Sequence, residues 1–254
     1  MRADLLHAQA SVDWAVTQLP SFRKRTNAWI NDNVYLTIKE LPADVPNNLI
    51  VAMEKEPLPI AFQVEAGAYI NAIRSSLDIL ACALANRHCK ALVDETYFPI
   101  VGSDTIWASG VATGKGFKGA KFVKALPTKE RSIIESLKPY KGGNGLLYPL
   151  HLLDIVRKHQ RLLAVDIQPA QIRISGRHSA MKEFNPIGGP GYVRSAPDET
   201  IIGLIPKTAA QKPQIEITPQ ISLDETTYLP HREVITSLYE FANLSGAIIS
   251  NFDR

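Results

Sequence analysis

Hydrophobic residues recur along much of this chain with the 3.6-residue period of an α-helix, and the most regular run covers residues 59–87. No proline interrupts the run after Pro59, and Gly67 is the one glycine within it. A set of apolar residues follows the i, i+3, i+4, i+7 spacing of a single helical face: Ile70, Ile73, Leu77, Leu80 and Leu84. The pattern predicts a long helix over residues 59–87.

Helical spacing also marks the beginning, middle and end of the chain. Residues 5–19 predict a first helix of about 16 residues, which Pro20 is expected to end because proline has no backbone N–H to donate. Residues 146–163 predict a second strong helix, and residues 128–137 a shorter one. A closing helix is predicted after Pro230.

Period-two alternation, which is typical of strands, is found in two parts of the chain. Residues 34–39 alternate apolar with polar side chains, and residues 49–53 continue after a proline-bearing loop, so these two segments are expected to pair. After Ala164 the chain consists of short β-prone runs separated by proline and glycine. These runs are residues 171–175, 192–194, 201–205 and 214–218.

Together these patterns predict an α+β protein. Its centre is expected to be a helical hairpin of the helices at 59–87 and 146–163, with a small, mainly antiparallel sheet and flanking N- and C-terminal helices. A length of 254 residues fits a single domain, 1–254. A subdivision into a helix-rich part, 1–163, and a β-rich part with the closing helix, 164–254, is the alternative.

Residues 98–126 are rich in glycine and lysine and predict a long, mobile loop with at most a short helix. Residues 114–119 match G-x-G-x-x-G, but no hydrophobic strand precedes them, as the dinucleotide fingerprint requires. The phosphate-binding P-loop is also incomplete, since no Ser or Thr follows Lys115. Two interpretations of the segment remain beside a plain flexible loop: phosphate binding through Lys115, Lys118 or Lys121, and a protein-interaction module formed by residues 110–124.

Composition narrows the functional classes only slightly. Lys and Arg number 28 against 25 Asp and Glu, and a net charge of +3 does not by itself indicate nucleic acid binding. Basic residues are interleaved with aromatic ones at 22–29 and 117–122, which leaves nucleic acid open as a partner beside an ordinary solvated surface. Self-association is left open as well.

The cysteines and the apolar content indicate a compartment. Cys82 and Cys89 lie seven residues apart on one predicted helix, about 10 Å, which is beyond disulfide reach, so reduced thiols are expected. No run approaches the roughly 18 apolar residues of a membrane span, and Asp4 and Asp13 lie where a signal peptide would be apolar. We therefore expect a cytoplasmic protein without membrane association.

The densest polar cluster lies on the predicted helix at 146–163. His151, Asp154 and Lys158 fall on or near one face, His159 lies one position further round, and Asp154 with Lys158 forms a favourable i, i+4 ion pair. The spacing of His151, Asp154 and His159 is a poor chelating face, so no metal site is predicted. No complete cofactor motif is present, and no cofactor is predicted either.

Antiparallel packing of the two long helices is expected to bring Arg74 and Asp78 close to Lys158 and His159. One interpretation is a structural network that fixes the helix register, or a ligand site that includes Asp154 and His151. The alternative is catalysis. In that case His159 would be the acid/base, Arg74 and Lys158 would stabilise an anion, and Asp78 would orient the histidine.

Four short motifs suggest a family. They are Ile73-Arg74-Ser75-Ser76-Leu77-Asp78, Phe98-Pro99-Ile100, Lys138-Pro139-Tyr140 and Leu153-Asp154-Ile155-Val156-Arg157-Lys158-His159. Together they resemble an uncharacterised family of bacterial proteins with the pattern L-R-S-x-L-D, F-P-I, Q-P-Y and D-K-H-R-x-L, over roughly residues 66–163. Lys138 departs from the glutamine of that pattern, and Arg157 from the acid that often precedes the Lys-His pair. The resemblance implies no established activity.

The helical core with paired Arg and His also looks like the HEPN ribonucleases of toxin and phage-defence systems. Their signature is an Arg followed four to six residues later by a His on a helix, and residues 146–163 lack it. The literal match from Arg173 to His178 falls in a predicted strand. This likeness is the basis for the alternative of metal-independent RNA or phosphodiester cleavage.

Overall fold

The computed structural model describes residues 1–163, 165–175, 185–186, 193–208, 214–223, 229 and 232–253. It confirms the α+β class. The chain forms two compact units. The helical unit comprises Met1–Pro20, Val64–Leu163 and Ile235–Arg254, and the sheet unit comprises Ser21–Gln63 and Ala164–Val234. The chain thus passes between units at residue 163, where the sequence changes texture, and also at 20, 63 and 234.

Seven α-helices are found in the described part of the chain: α1 (Leu6–Asn33), α2 (Ile60–His88), α3 (Asp104–Thr113), α4 (Ala120–Ala125), α5 (Thr128–Ser136), α6 (Leu147–His159) and α7 (Val234–Ser250). The helices predicted at 59–87 and 128–137 and the closing helix are confirmed. Helix α6 ends at His159 rather than at residue 163, and the five residues that follow Val156 are all polar, so this end of the helix has no apolar face.

The predicted end of the first helix at Pro20 is wrong, because α1 continues to Asn33 with this proline inside it. An internal proline costs about 3 kcal/mol in lost hydrogen bonding and steric strain. Leu19 and Phe22, on either side of it, are 0% and 1% exposed. Burying each large apolar side chain stabilises by about 1.5–3 kcal/mol, which is enough to offset the strain.

Helix α2 is the core element of the helical unit. Its predicted apolar face is confirmed, since Ile70, Ile73, Leu77, Leu80 and Leu84 are all fully buried. It is also the one helix among the described residues that is long and apolar enough to cross a membrane, but it is mostly buried inside the protein. A buried helix of this kind is compatible with a soluble protein. Cys82, near the C-terminal end of α2, and Cys89, which directly follows the helix, are half-buried and are not joined in a disulfide.

The prediction of one long loop over residues 98–126 is wrong, because α3 and α4 occupy most of this segment. The Ser103 hydroxyl caps α3 by accepting a hydrogen bond from the Ile106 N–H, and Gly114 ends the helix in the left-handed conformation. The apolar anchors Trp107 and Phe122 are 7% and 1% exposed. Between these two helices, the connection from Gly114 to Gly119 is a loop.

The sheet unit contains two antiparallel sheets, which confirms the predicted strand pairing. Strands β1 (Val34–Lys39), β2 (Asn47–Glu54), β6 (Glu199–Pro206) and β4 (Asn185–Pro186) pair in that order, and β5 (Arg194–Ala196) also pairs with β6. Strands β3 (Val165–Ser175), β7 (Gln214–Leu223) and β8 (Arg232–Glu233) form the second sheet. The five-stranded sheet has a buried core of Ile50, Ala52, Ile202 and Ile205.

Candidate functional site

The predicted helical hairpin is formed by α2 and α6, and side-chain contacts define its direction. Asn71 Nδ2 donates to Asp154 Oδ1 at 3.0 Å, and Arg74 Nε donates to His151 Nδ1 at 3.5 Å, the long limit for a hydrogen bond. Residue numbers rise along α2 as they fall along α6. The two helices are therefore antiparallel, as the sequence predicts.

Arg74 is the centre of the polar network between these helices and is only 4% exposed. Its Nη1 pairs with Asp78 Oδ1 at 2.8 Å, and its Nη2 donates to the Phe98 carbonyl at 3.0 Å. Asp78 Oδ1 also accepts from the Phe98 N–H at 2.9 Å. The Arg74–Asp78 pair thus holds both main-chain polar groups of Phe98, and it joins two of the sequence motifs.

Asp154 lies one turn along α6 from His151 and is also 4% exposed. It accepts from Asn71 and forms the predicted i, i+4 ion pair with Lys158, at 2.6 Å between Oδ2 and Nζ. Such a buried carboxylate needs both partners, because an unpaired buried charge is strongly destabilising. This contact stabilises the hairpin one turn away from Arg74.

The structure does not bring Lys158 and His159 to Arg74 and Asp78. Lys158 binds Asp154, and the exposed His159 is eight residues, about 12 Å along the helix, from His151. The register explains the difference, since Arg157 packs on Gly67, far along α2 from Asp78. His151 is the histidine that meets Arg74.

The environment of His151 makes it a poor proton-transfer group. Burial, and then the positive charge of Arg74, lower the pKa of His151 to about 4, although Asp78 and Asp154 partly oppose the shift. The imidazole is therefore neutral near pH 7. Its Nδ1 accepts from Arg74, which places the proton on Nε2. The arrangement is a network of paired polar groups around a neutral histidine.

The lowered pKa of His151 predicts a pH-dependent stability. Between the ordinary pKa of 6.5 and about 4, the unfolded chain takes up a proton that the folded protein excludes, so stability falls as pH falls through this window. We expect His151→Gln to remove on the order of 2 kcal/mol of this loss. Urea titrations at pH 7 and pH 4.5 measure it. The exposed His159→Gln is the matched control, and an equal effect of both substitutions would contradict the prediction.

A second candidate site, which we call the basic loop pocket, lies between the loop at 114–119 and the segment that follows α2. The cavity has a volume of about 590 Å³. Its lining contains lysines but, among the described residues, no acidic side chain. The lining residues are Leu92, Tyr97, Gly114, Lys115, Gly116, Phe117, Lys118, Gly119, Lys121 and Phe122.

The backbone of the loop has an unusual conformation. Gly114, Gly116 and Gly119 have φ angles of 75°, 98° and 89°, which few other residues adopt. At Gly119 a Cβ atom would lie 2.6 Å from the Tyr97 carbonyl oxygen. The hydrogen bonds found among the described residues engage none of the backbone N–H groups of residues 116–119. Such turns of successive N–H groups are typical of anion sites.

Aromatic residues fix the loop and form one wall of the pocket. Phe117 stacks on Trp107 of α3, with ring centroids 5.6 Å apart and planes 15° from parallel. Tyr97 is 41% exposed, and Lys118 Nζ lies 4.4 Å from its ring centroid. The sequence indicates Lys115 and Lys118 as pocket residues. It does not indicate Tyr97, because α3 separates this residue from the loop along the chain.

A second cavity, of about 490 Å³, lies beside the N-terminus and the C-terminal part of α2. It contains Cys82 and the ion pair of Arg87 with Asp4, at 2.6 Å. Arg87 holds the pKa of Asp4 below its usual value, against the opposing effect of burial. The pair neutralises itself, so this cavity has no excess charge to recruit a ligand. Among the described residues, no group of three or more His, Cys, Asp or Glu side chains is arranged to hold a metal ion.

The protein therefore has an α+β fold with two candidate sites, which are the polar network of the helical hairpin and the basic loop pocket. No protein-family model matches the chain, and no curated protein or solved structure matches it either. The resemblance to a bacterial family stays a prediction. Of the HEPN-like match, Arg173 lies in β3, and His178 lies outside the described residues.

Proposed function

We propose that this is a binding protein for a phosphate-bearing anion, which enters the basic loop pocket, and that the hairpin network is structural. The observation that carries the proposal is a cavity of about 590 Å³ whose lining, among the side chains that the structure describes, contains Lys115, Lys118 and Lys121 and no acidic residue. Cations that share a cleft raise its positive potential and attract anions. Lys115 and Lys118 are exposed and accessible to a ligand.

The glycines support a phosphate in particular. A phosphate group presents several acceptor oxygens, and the loop offers both ammonium groups and the unengaged N–H groups of residues 116–119. Side chains larger than hydrogen at the positive-φ positions would strain the loop. The sequence therefore combines flexible charge with a backbone shape that suits close approach to an anion.

The hairpin network is connected to the wall of the pocket through the backbone of Tyr97 and Phe98. Tyr97, on the pocket wall, directly precedes Phe98, whose N–H and carbonyl bind Asp78 and Arg74. Gly119, at the other end of the loop, packs against the Tyr97 carbonyl. Arg74 and Asp78 are thus positioning residues for the wall, and this gives the buried network a role without catalysis.

The geometry does not favour the ribonuclease alternative. His159, the predicted acid/base, is exposed and remote from Arg74, and His151 is a weak base with a pKa of about 4. The protein-interaction alternative loses the mobile loop on which it depended, since α3 and α4 order most of residues 110–124. We also propose a cytoplasmic location, supported by the buried apolar helix α2.

The double substitution Lys115→Gln with Lys118→Gln tests the proposal. We expect inorganic tripolyphosphate to bind the parent protein at low salt, and to bind the double variant at least about 20-fold more weakly, because two charge-assisted contacts are lost. Isothermal titration calorimetry measures both affinities.

The matched control is Lys24→Gln with Lys129→Gln, two exposed lysines outside the pocket that change the net charge equally. An equal loss in the control would show general attraction rather than a site. Absence of tripolyphosphate binding to the parent at millimolar concentration would also overturn the proposal.

A further inference from the structure

We infer that the ligand of the basic loop pocket is a nucleoside polyphosphate, with its base on the Tyr97 wall and its phosphates among the lysines. The inference rests on the proposed function and specifies its ligand. Three features carry it: the volume of the cavity, its division into an apolar and a cationic part, and the distance between those parts.

The volume exceeds what a phosphate group needs. Small-molecule sites commonly occupy about 300–1,000 Å³, and the cavity of about 590 Å³ lies within that range. A lone phosphate would leave most of this space to water against apolar side chains. A ligand that fills the pocket must therefore carry a second, larger and less polar part.

The apolar part of the lining has the character of a stacking surface. Leu92, Tyr97 and Phe122 contribute apolar side chains, and Phe122 is only 1% exposed. Tyr97, by contrast, keeps 41% of its surface exposed, although aromatic rings usually gain stability from burial. A planar base that stacks on Tyr97 would cover this exposed ring.

The cationic part begins at the ring itself. Lys118 Nζ lies over one face of the Tyr97 ring, 4.4 Å from its centroid, so a base would stack on the other face, or on this face once Lys118 turns to the phosphates. A ligand that engages both the ring and the ammonium group needs an aromatic group and a phosphate joined by a short spacer, and a ribose is such a spacer. Lys115 in the loop and Lys121 in the first turn of α4 add further positive charge to the lining, which suits two or three linked phosphates.

The lining also predicts that the pocket does not distinguish one nucleobase from another. Apart from the Tyr97 hydroxyl, the side chains on its apolar part carry no hydrogen-bonding group that could read the edge of a base. Stacking alone tolerates every base, because each has a π-face. We therefore expect ATP, GTP and CTP to bind with affinities within about fivefold of one another.

The experiment compares ATP, AMP and inorganic tripolyphosphate by calorimetry in the presence of EDTA. For the parent we expect ATP to bind at least about tenfold more tightly than either of the other two, since only ATP uses both parts of the pocket. Tyr97→Leu should weaken ATP binding far more than tripolyphosphate binding and so remove most of the advantage of ATP. Tyr35→Leu, at a similarly exposed tyrosine outside the pocket, is the matched control and should change neither.

Each outcome separates this inference from the function on which it rests. Equal binding of ATP and tripolyphosphate, or an unaltered preference in Tyr97→Leu, would overturn the inference and leave a phosphate site. Failure of every phosphate compound to bind would overturn both. A 5′-triphosphorylated RNA oligonucleotide that binds at least as tightly as ATP would support the same chemistry and identify a nucleic acid end as its source. O-phosphotyrosine binding as tightly as ATP would contradict the inference.

Discussion

Replacing Arg74 with methionine is expected to reduce the free energy of unfolding by about 3–5 kcal/mol, the cost of breaking a buried ion pair by removing one partner. Arg74 is 4% exposed and donates to Asp78, to the Phe98 carbonyl and to His151. Methionine fills much of the same volume but donates to none of these acceptors. The Phe98 carbonyl would then lack a partner, and Asp78 would retain only the Phe98 N–H.

Chemical denaturation of the parent, Arg74→Met, Asp78→Asn and the double variant measures this effect and the coupling between the two residues. We expect a coupling of about 1–3 kcal/mol, because both side chains belong to one network. Lys129→Met, at an exposed position of α5, should change stability by less than about 0.5 kcal/mol. If Arg74→Met is as stable as this control, the network does not hold the hairpin together.

The second large effect is expected at Gly119. Substitution by alanine should cost about 2–4 kcal/mol, because the residue has a φ of 89° and a Cβ would lie 2.6 Å from the Tyr97 carbonyl oxygen. The obstructing atom belongs to the backbone, so a side-chain rotation cannot relieve the clash. Since the two sides of the pocket meet here, tripolyphosphate binding should weaken in the folded variant as well.

Two other glycines separate the contributions to this effect. Gly116 has a φ of 98° but open space around its Cβ position, so Gly116→Ala reports the backbone strain alone, about 1–2 kcal/mol. Gly145 likewise has open space, and its φ lies outside the left-handed region, so Gly145→Ala should be nearly neutral. Thermal unfolding of the three variants measures the series. Equal stability of Gly119→Ala and Gly145→Ala would show that the close approach to Tyr97 does not constrain the fold.

The helices that bury a regular apolar face could be predicted from the sequence, and those with weaker local signals could not. The apolar face of α2 from Ile70 to Leu84 could be predicted because burial of every member requires an unbroken apolar pattern in the sequence. The predicted helix end at Pro20 was wrong because local helix propensity does not include the stabilisation from burying Leu19 and Phe22. Helices α3 and α4 were missed because glycine and lysine mask short helices that depend on the cap at Ser103 and on a few buried aromatic residues.

The candidate site shows the same division. The i, i+4 pair of Asp154 with Lys158 follows from helical geometry and was predicted correctly, and the pair of Arg74 with Asp78 has the same spacing. The register between α2 and α6 does not follow from either helix alone. The sequence therefore predicts a contact of Arg74 with His159, whereas His151 makes this contact in the structure. The participation of the Phe98 main chain could not be predicted, since every residue carries the same N–H and carbonyl groups.

That main-chain contact separates the shape of the pocket from its chemistry. Arg74 and Asp78 bind peptide atoms of Phe98, and Gly119 packs on the peptide oxygen of Tyr97, so none of these contacts depends on which side chain residue 97 carries. The ring that faces the cavity can therefore change without moving the frame that presents it. During evolution, substitutions at residue 97 can therefore change the surface of the cavity at little cost to folding. Substitutions of Arg74, Asp78 or Gly119 cannot, because these residues hold the main chain.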